Sequence, residues 1–277
     1  MSDVPRETTY QLGAGPFRAL EWDGTGATTI FLHGLSGVAD VWQQTIVALG
    51  ATRPRCIAID QRGHGHSVKA DDYRVGAYVQ DLADLVAAIG EPLRLVGHSM
   101  GARVAMVAAA RRPDRFSSVA IVDIGPEAWK ANIDESVAAF ERMPRLFPDR
   151  EAAVAYAARG RRGSLDAEQF IMPRLRQGPR GRYTWLADKE ALIETVRQHR
   201  RRNYWAEWDA LRVPALLVRG ERSNELRPAI ADQMRRRNPR VQFRVIADTG
   251  HNIPLLAPAE LASTLKEFWA SAEAGEK

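Results

Sequence analysis

Six short runs rich in β-branched and other apolar residues recur along the chain, at 28–34 (TTIFLHG), 55–60 (RCIAID), 93–99 (LRLVGHS), 117–124 (SSVAIVDI), 215–221 (ALLVRGE) and 241–247 (VQFRVIA). Segments with helical spacing follow most of them, at 76–90, 100–112, 228–237 and finally 257–272. A strand that is apolar along its whole length must be covered on both faces, and a helix between consecutive strands makes a crossover. The order therefore predicts an α/β fold, a doubly wound and mainly parallel sheet with helices on both sides. An earlier segment, 10–24 (YQLGAGPFRALEWDG), reads as an antiparallel hairpin that extends one edge.

Residues 126–210 break this alternation. They are helical in pattern, contain no convincing strand and are bounded by Pro126 and Pro214. This predicts a core formed by 1–125 and 211–277, with 126–210 inserted as a helical lid. Four of the seven tryptophans fall in the insertion (Trp129, Trp185, Trp205 and Trp208), together with Phe140, Phe147 and Tyr204. Most of these aromatics are expected to pack the lid onto the core.

A chain of 277 residues can bury one large core, and 26% charged with 45% hydrophobic residues is ordinary for a soluble domain. The first residues, MSDVPRETTY, form no apolar leader, and no stretch approaches the roughly 20 apolar residues of a membrane span. A cytoplasmic protein without membrane partners is expected. The net charge of +5 comes from 39 basic and 34 acidic residues, and the basic clusters at 159–163, 197–202 and 234–240 are interrupted by acids and helix formers. They read as solvated helix faces, so no nucleic-acid partner is expected. Cys56 has no partner for a disulfide and reads as a buried structural thiol. Neither H-x-x-x-H nor C-x-x-C spacing occurs, and no metal or cofactor is expected. Oligomeric state cannot be read from the chain.

Residues 97–101, GHSMG, place Ser99 at a strand-to-helix corner between Gly97 and Gly101. A side chain at either flanking position would crowd so sharp a turn. A serine hydroxyl is a weak nucleophile until a base takes its proton, and the base needs an acid to fix its tautomer. In an open parallel sheet these groups should meet beyond the carboxyl ends of the strands. Of six histidines, His251 follows the last strand and precedes the last helix.

FLHGLSG (31–37), IDQRGHGHS (59–67), GHSMG (97–101) and GHNI (250–253) occur in order along the chain. With these motifs the sequence resembles the α/β-hydrolase fold superfamily over nearly its full length. The resemblance implies a serine hydrolase with the order Ser99, acid, His251. It further implies an oxyanion hole from the backbone N–H groups of Leu35 and Met100, and scaffold roles for Asp60, Arg62, His64 and His66. At the commonest position of the acid, after the run at 215–221, stands Asn224, and an amide supplies no charge. Glu221, Asp248 and Asp123 remain, and Asp123, at the tip of the neighbouring run, is the expected acid. Its alternative role is to cap the first turn of the lid, with Pro126 near the first helical position. Asp123 lies 24 residues and His251 152 residues beyond Ser99. Both separations resemble those of the 2-(acetamidomethylene)succinate hydrolases, which carry the acid at that neighbouring strand.

These readings converge on cleavage of a carboxylic ester, lactone or amide of a small molecule through an acyl-enzyme. Two alternatives share the motifs: a carbon–carbon bond hydrolase of a degradation pathway, and a ligand receptor of the same fold with slow turnover. Aspartate-nucleophile members of the fold are disfavoured by serine at 99. The pocket is expected to be lined by His33, Gly34, Trp129, Arg145, Trp185 and Tyr204. The 14 arginines of 126–210 raise the expectation that some of them face it and favour an anionic substrate.

Overall fold

The computed structural model describes residues 2–90, 93–127, 133–159 and 164–275. Among the described residues ten strands are formed: β1 (Arg6–Leu12), β2 (Gly15–Trp22), β3 (Thr29–Leu32), β4 (Cys56–Ile59), β5 (Leu93–His98), β6 (Phe116–Val122), β7 (Leu175–Gln177), β8 (Tyr183–Trp185), β9 (Ala215–Gly220) and β10 (Gln242–Ile246). Eight of them make one sheet in the order β1-β2-β4-β3-β5-β6-β9-β10. From β4 to β10 every neighbouring pair is parallel, and the β1–β2 hairpin joins antiparallel along β4. The hairpin extends one edge, as the sequence predicts, but begins at Arg6 because Arg6–Thr9 pair with Arg18–Glu21.

The helices are α1 (Gln43–Ala48), α2 (Val75–Ile89), α3 (Met100–Arg111), α4 (Ile133–Glu141), α5 (Arg150–Ala158), α6 (Ser164–Ile171), α7 (Lys189–His199), α8 (Trp205–Ala210), α9 (Pro228–Arg237), α10 (Ile253–Leu256) and α11 (Pro258–Gly275). Helix α2 shows why the apolar spacing was informative. Its buried Val75, Tyr78, Leu82, Leu85 and Val86 make one face, and Gly90, at φ 87°, ends it in the left-handed conformation. That face joins α3, α8 and α9 in a core on one side of the sheet, while α1 and α11 bury Trp42, Ile46, Leu265 and Phe268 on the other. The strands between are apolar on both faces because each face is roofed by helices.

Within 126–210 the absence of strands is corrected. β7 and β8 form a small antiparallel hairpin of three residues each, paired Leu175 with Trp185. Too short to show an alternation, such strands carry no periodic signal. Around them Phe147, Ala153, Ala157, Ile171 and Leu175 make a separate small core. At the C-terminus the helix expected at 257–272 is α11, and a short α10, not expected from the sequence, precedes it.

Candidate active site

Ser99 sits between the end of β5 and the start of α3, with φ 53° and ψ −117°. A non-glycine residue in that region is strained, and the neighbours show what enforces it. A Cβ at Gly97 would lie 2.5 Å from Ala102 Cα, and one at Gly101 would lie 2.3 Å from the Leu32 carbonyl oxygen. The helix can start this close to two strands only if both positions are glycine.

Asp123, directly after β6, and His251, in the loop after β10, complete a chain of hydrogen bonds. His251 Nδ1 lies 2.7 Å from Asp123 Oδ2, and His251 Nε2 lies 3.0 Å from Ser99 Oγ. Asp123 is fully buried and at φ 57°. Its Oδ1 accepts the Gly220 N–H at 2.9 Å, and its Oδ2 also accepts the Ser223 hydroxyl. Among the described residues the alternative role as a helix cap has no counterpart: these donors come from the β9 end and from His251. The other carboxylates are engaged elsewhere. Asp248 is 80% exposed and paired with Arg222, while Glu221 accepts the Asp248 N–H at 2.8 Å. Asn224 lines the cavity in front of Ser99.

That cavity has a volume of about 450 Å³, within the range of small-molecule sites. Gly34, Leu35, Ser36 and Met100 line it beside Ser99, and Gly34 is held to glycine because a Cβ there would meet His98 Nδ1 at 2.8 Å. Met100 supplies the first N–H of α3, which has no acceptor within the helix. Phe140 of α4, Phe170 of α6 and Val196 of α7 supply apolar wall.

The other expected pocket residues are placed differently. His33 is buried behind the cavity, its Nδ1 donating to the Gly34 carbonyl at 2.8 Å and its Nε2 accepting the Gln61 N–H at 3.0 Å. Trp185 donates to the Pro144 carbonyl and packs on Phe147 and Tyr156 in the small separate core. Arg145 is exposed near Glu190, on a different depression from Ser99. Tyr204 is buried, its hydroxyl donating to the His199 carbonyl at 3.2 Å, and it does not line the cavity. Trp129 lies outside the described residues. His33, Arg145, Trp185 and Tyr204 lie in loops, in a three-residue strand or just before a helix, where no periodicity tells which neighbour a side chain meets.

His98 is the contributor that sequence reading missed. Its Nε2–H donates to the His251 carbonyl at 2.8 Å, and the two rings meet with centres 4.7 Å apart, tilted by 40°. Adjacency to Ser99 was the only signal. The scaffold histidine His64 donates from Nδ1 to the Arg62 carbonyl and accepts the Ser36 N–H at 3.3 Å, steadying the turn that carries Leu35. Asp60 accepts the Ala39 and His66 N–H groups, and Arg62 makes a buried two-point pair with Asp81 at 2.6 and 2.5 Å.

Burial pulls His33 down to about 4 and His64 to about 3, and His98 also lies well below its ordinary value. These rings fold neutral and would bind protons on unfolding below pH 6.5, so stability is full above that pH and falls as acid is added. His33 and His64 are each expected to contribute about 1.4 kcal/mol per pH unit between about pH 6 and 4. Denaturant unfolding across that range should show the slope, and His64→Gln should flatten it. An unchanged slope in the variant would mean that His64 is not a neutral buried ring.

Residues 29–264 match the model of the alpha/beta hydrolase family. A 2-(acetamidomethylene)succinate hydrolase of Mesorhizobium japonicum is 32% identical over 251 residues, covering 88% of each chain. An esterase of Mycobacterium tuberculosis is 26% identical over 273 residues, covering 95% of this chain and 89% of its own. The crystal structure of an E-2-(acetamidomethylene)succinate hydrolase superposes with a TM-score of 0.87 at 27% identity, covering 96% of this chain and 99% of the other. The sheet order, the strained corner at Ser99 and this full-length likeness have one common explanation: the chain is a hydrolase and belongs to the α/β-hydrolase family.

Proposed function

We propose that the protein cleaves a carboxylic ester, lactone or amide of a small molecule, with Ser99 as nucleophile, His251 as base and Asp123 as the acid behind it. The observation that carries this reading is the continuous chain Asp123–His251–Ser99, at 2.7 and 3.0 Å. As Ser99 Oγ attacks the carbonyl carbon, its proton passes to His251 Nε2, and the buried Asp123 carboxylate stabilises the imidazolium through Nδ1–H. The carbonyl oxygen becomes an oxyanion, for which the N–H groups of Met100 and Leu35 are the donors in reach, each contributing about 3 kcal/mol. His251 then protonates the leaving alcohol or amine. Water, deprotonated by the same ring, attacks the acyl-enzyme and releases the acid. Residues 126–210 act as the lid, since α4, α6 and α7 contribute wall to the cavity. The names of the relatives, a hydrolase of an acetamido compound and an esterase, support both amide and ester chemistry.

A fluorophosphonate is expected to add once per chain, with the label mapped by peptide mass to Ser99, and to fail on the His251→Ala variant. A label on another residue, or equal labelling of the variant, would overturn the assignment. A panel of p-nitrophenyl esters, lactones and N-acyl amides then ranks the bonds.

A further inference from the structure

One cation of the cavity belongs to the core and not to the lid. Arg103 stands one turn beyond Ser99 on α3, its N–H bonded to the Ser99 carbonyl at 3.1 Å. Side chains on a helix lean toward its N-terminus, and residues four apart share a face, so the guanidinium and the serine open into one cavity. Arg103 is only 6% exposed. Of its five N–H donors only those on Nη2 find acceptors among the described residues, at the long distances of 3.4 Å to Gly125 O and 3.3 Å to Glu127 O. Nε is fully buried with no partner.

Among the described residues no carboxylate lies within ion-pair distance of Arg103, although Glu127 and Glu225 also line the cavity. Glu127 instead meets Arg227 at 3.5 Å, and Glu225, exposed at the edge of the cavity, acts on Arg103 only from beyond ion-pair distance. The neighbour on the far side is a second cation, Arg200, which donates to Ser136 Oγ at 3.0 Å and raises the local positive potential. Tyr204 closes the back of the group, its ring centre 5.3 Å from Arg103 Cζ. Burial, reinforced by Arg200, pulls Arg103 down to about 10, so it remains charged at neutral pH. A buried cation without a paired carboxylate is costly, and the cost is relieved when an anion enters.

From this we infer that Arg103, with Arg200 beside it, binds a carboxylate of the substrate, so that the acyl compound cleaved at Ser99 is itself an anion such as a dicarboxylic acid monoester or monoamide. The inference rests on the hydrolase reading above and adds the class of substrate. Fixed to the helix that begins at the nucleophile, the guanidinium would hold the far end of a short acyl chain while the apolar wall covers its methylenes. Two-point pairing with a planar carboxylate would use the donors that the protein leaves open.

The test compares mono-p-nitrophenyl glutarate with p-nitrophenyl pentanoate on wild type, Arg103→Met, Arg103→Lys and Arg200→Gln. Wild type is expected to favour the glutarate ester in kcat/KM by about 10- to 100-fold, the range of a charge-assisted hydrogen bond. Arg103→Met should bring the ratio near one, with Arg103→Lys and Arg200→Gln between. A fall on both esters by the same factor would show that Arg103 only clamps the 125–127 loop, and would overturn the proposal. So would a wild-type ratio near one.

Calorimetric binding of glutarate to the Ser99→Ala protein supplies a readout independent of turnover and of whether Arg103→Met folds. Binding that weakens with salt and is reduced by Arg200→Gln supports the site. No binding overturns it, even if esters are hydrolysed. Binding without any ester turnover would instead retain the carboxylate site and remove the hydrolase reading.

Discussion

Ser99→Ala is expected to lower kcat by about 10⁶, the loss recorded when a serine protease is deprived of its nucleophile. The variant should keep its fold, because among the described residues Ser99 Oγ bonds only to His251, and alanine adopts φ 53° no less readily than serine does. Steady-state kinetics on an activated ester measures the loss, and a thermal melt within a few degrees of wild type excludes unfolding as its cause. Groups that act as one unit are not additive. Ser99→Ala combined with Asp123→Asn should therefore be no slower than Ser99→Ala alone. Residual turnover above about a hundredth of wild type would mean that another group attacks the carbonyl.

Much of this arrangement was legible because it lies where strands end. The buried runs that became β5, β6 and β9 place Ser99, Asp123 and the Gly220 N–H at neighbouring strand tips, and parallel pairing brings them together without help from distant contacts. What could not be read were the groups whose neighbours are decided by packing. Trp185 and Tyr204 have apolar faces that suit many partners, and they found Phe147 and Arg103 instead of the cavity. Arg103 was hidden by its surroundings. A single charge inside the run MGARVAMVAAA reads as part of a helix packed by alanine and valine, and its spacing of four from Ser99 acquires meaning only once both open into one cavity. Of the arginines of 126–210, from which an anionic substrate is expected, Arg174 and Arg200 line the cavity, whereas others, such as Arg145 with Glu190, lie at the surface. A charge acts more strongly on a ligand when it is removed from solvent.

Asp123→Asn should lower kcat by about 10⁴, as the equivalent change does in a serine protease, while leaving the fold in place. The reason lies in the three donors that converge on this carboxylate: Gly220 N–H on Oδ1, and the Ser223 hydroxyl and His251 Nδ1–H on Oδ2. An amide offers one oxygen and one NH₂. If the NH₂ faces His251, the ring must carry its proton on Nε2 and can no longer accept one from Ser99. If it faces Gly220, two donors oppose each other in a buried site, and the imidazolium still lacks its counter-charge. Asp248→Asn and Glu221→Gln should change kcat by less than about threefold, since exposed groups contribute little. Asn224 follows Ser223 in the same loop and lines the cavity. Asn224→Asp in the Asp123→Asn background is therefore expected to recover part of the loss by bringing a carboxylate to His251 from the β9 side. Near-wild-type turnover in Asp123→Asn alone would remove Asp123 from the catalytic chain and leave its buried carboxylate as a fastener between β6 and β9.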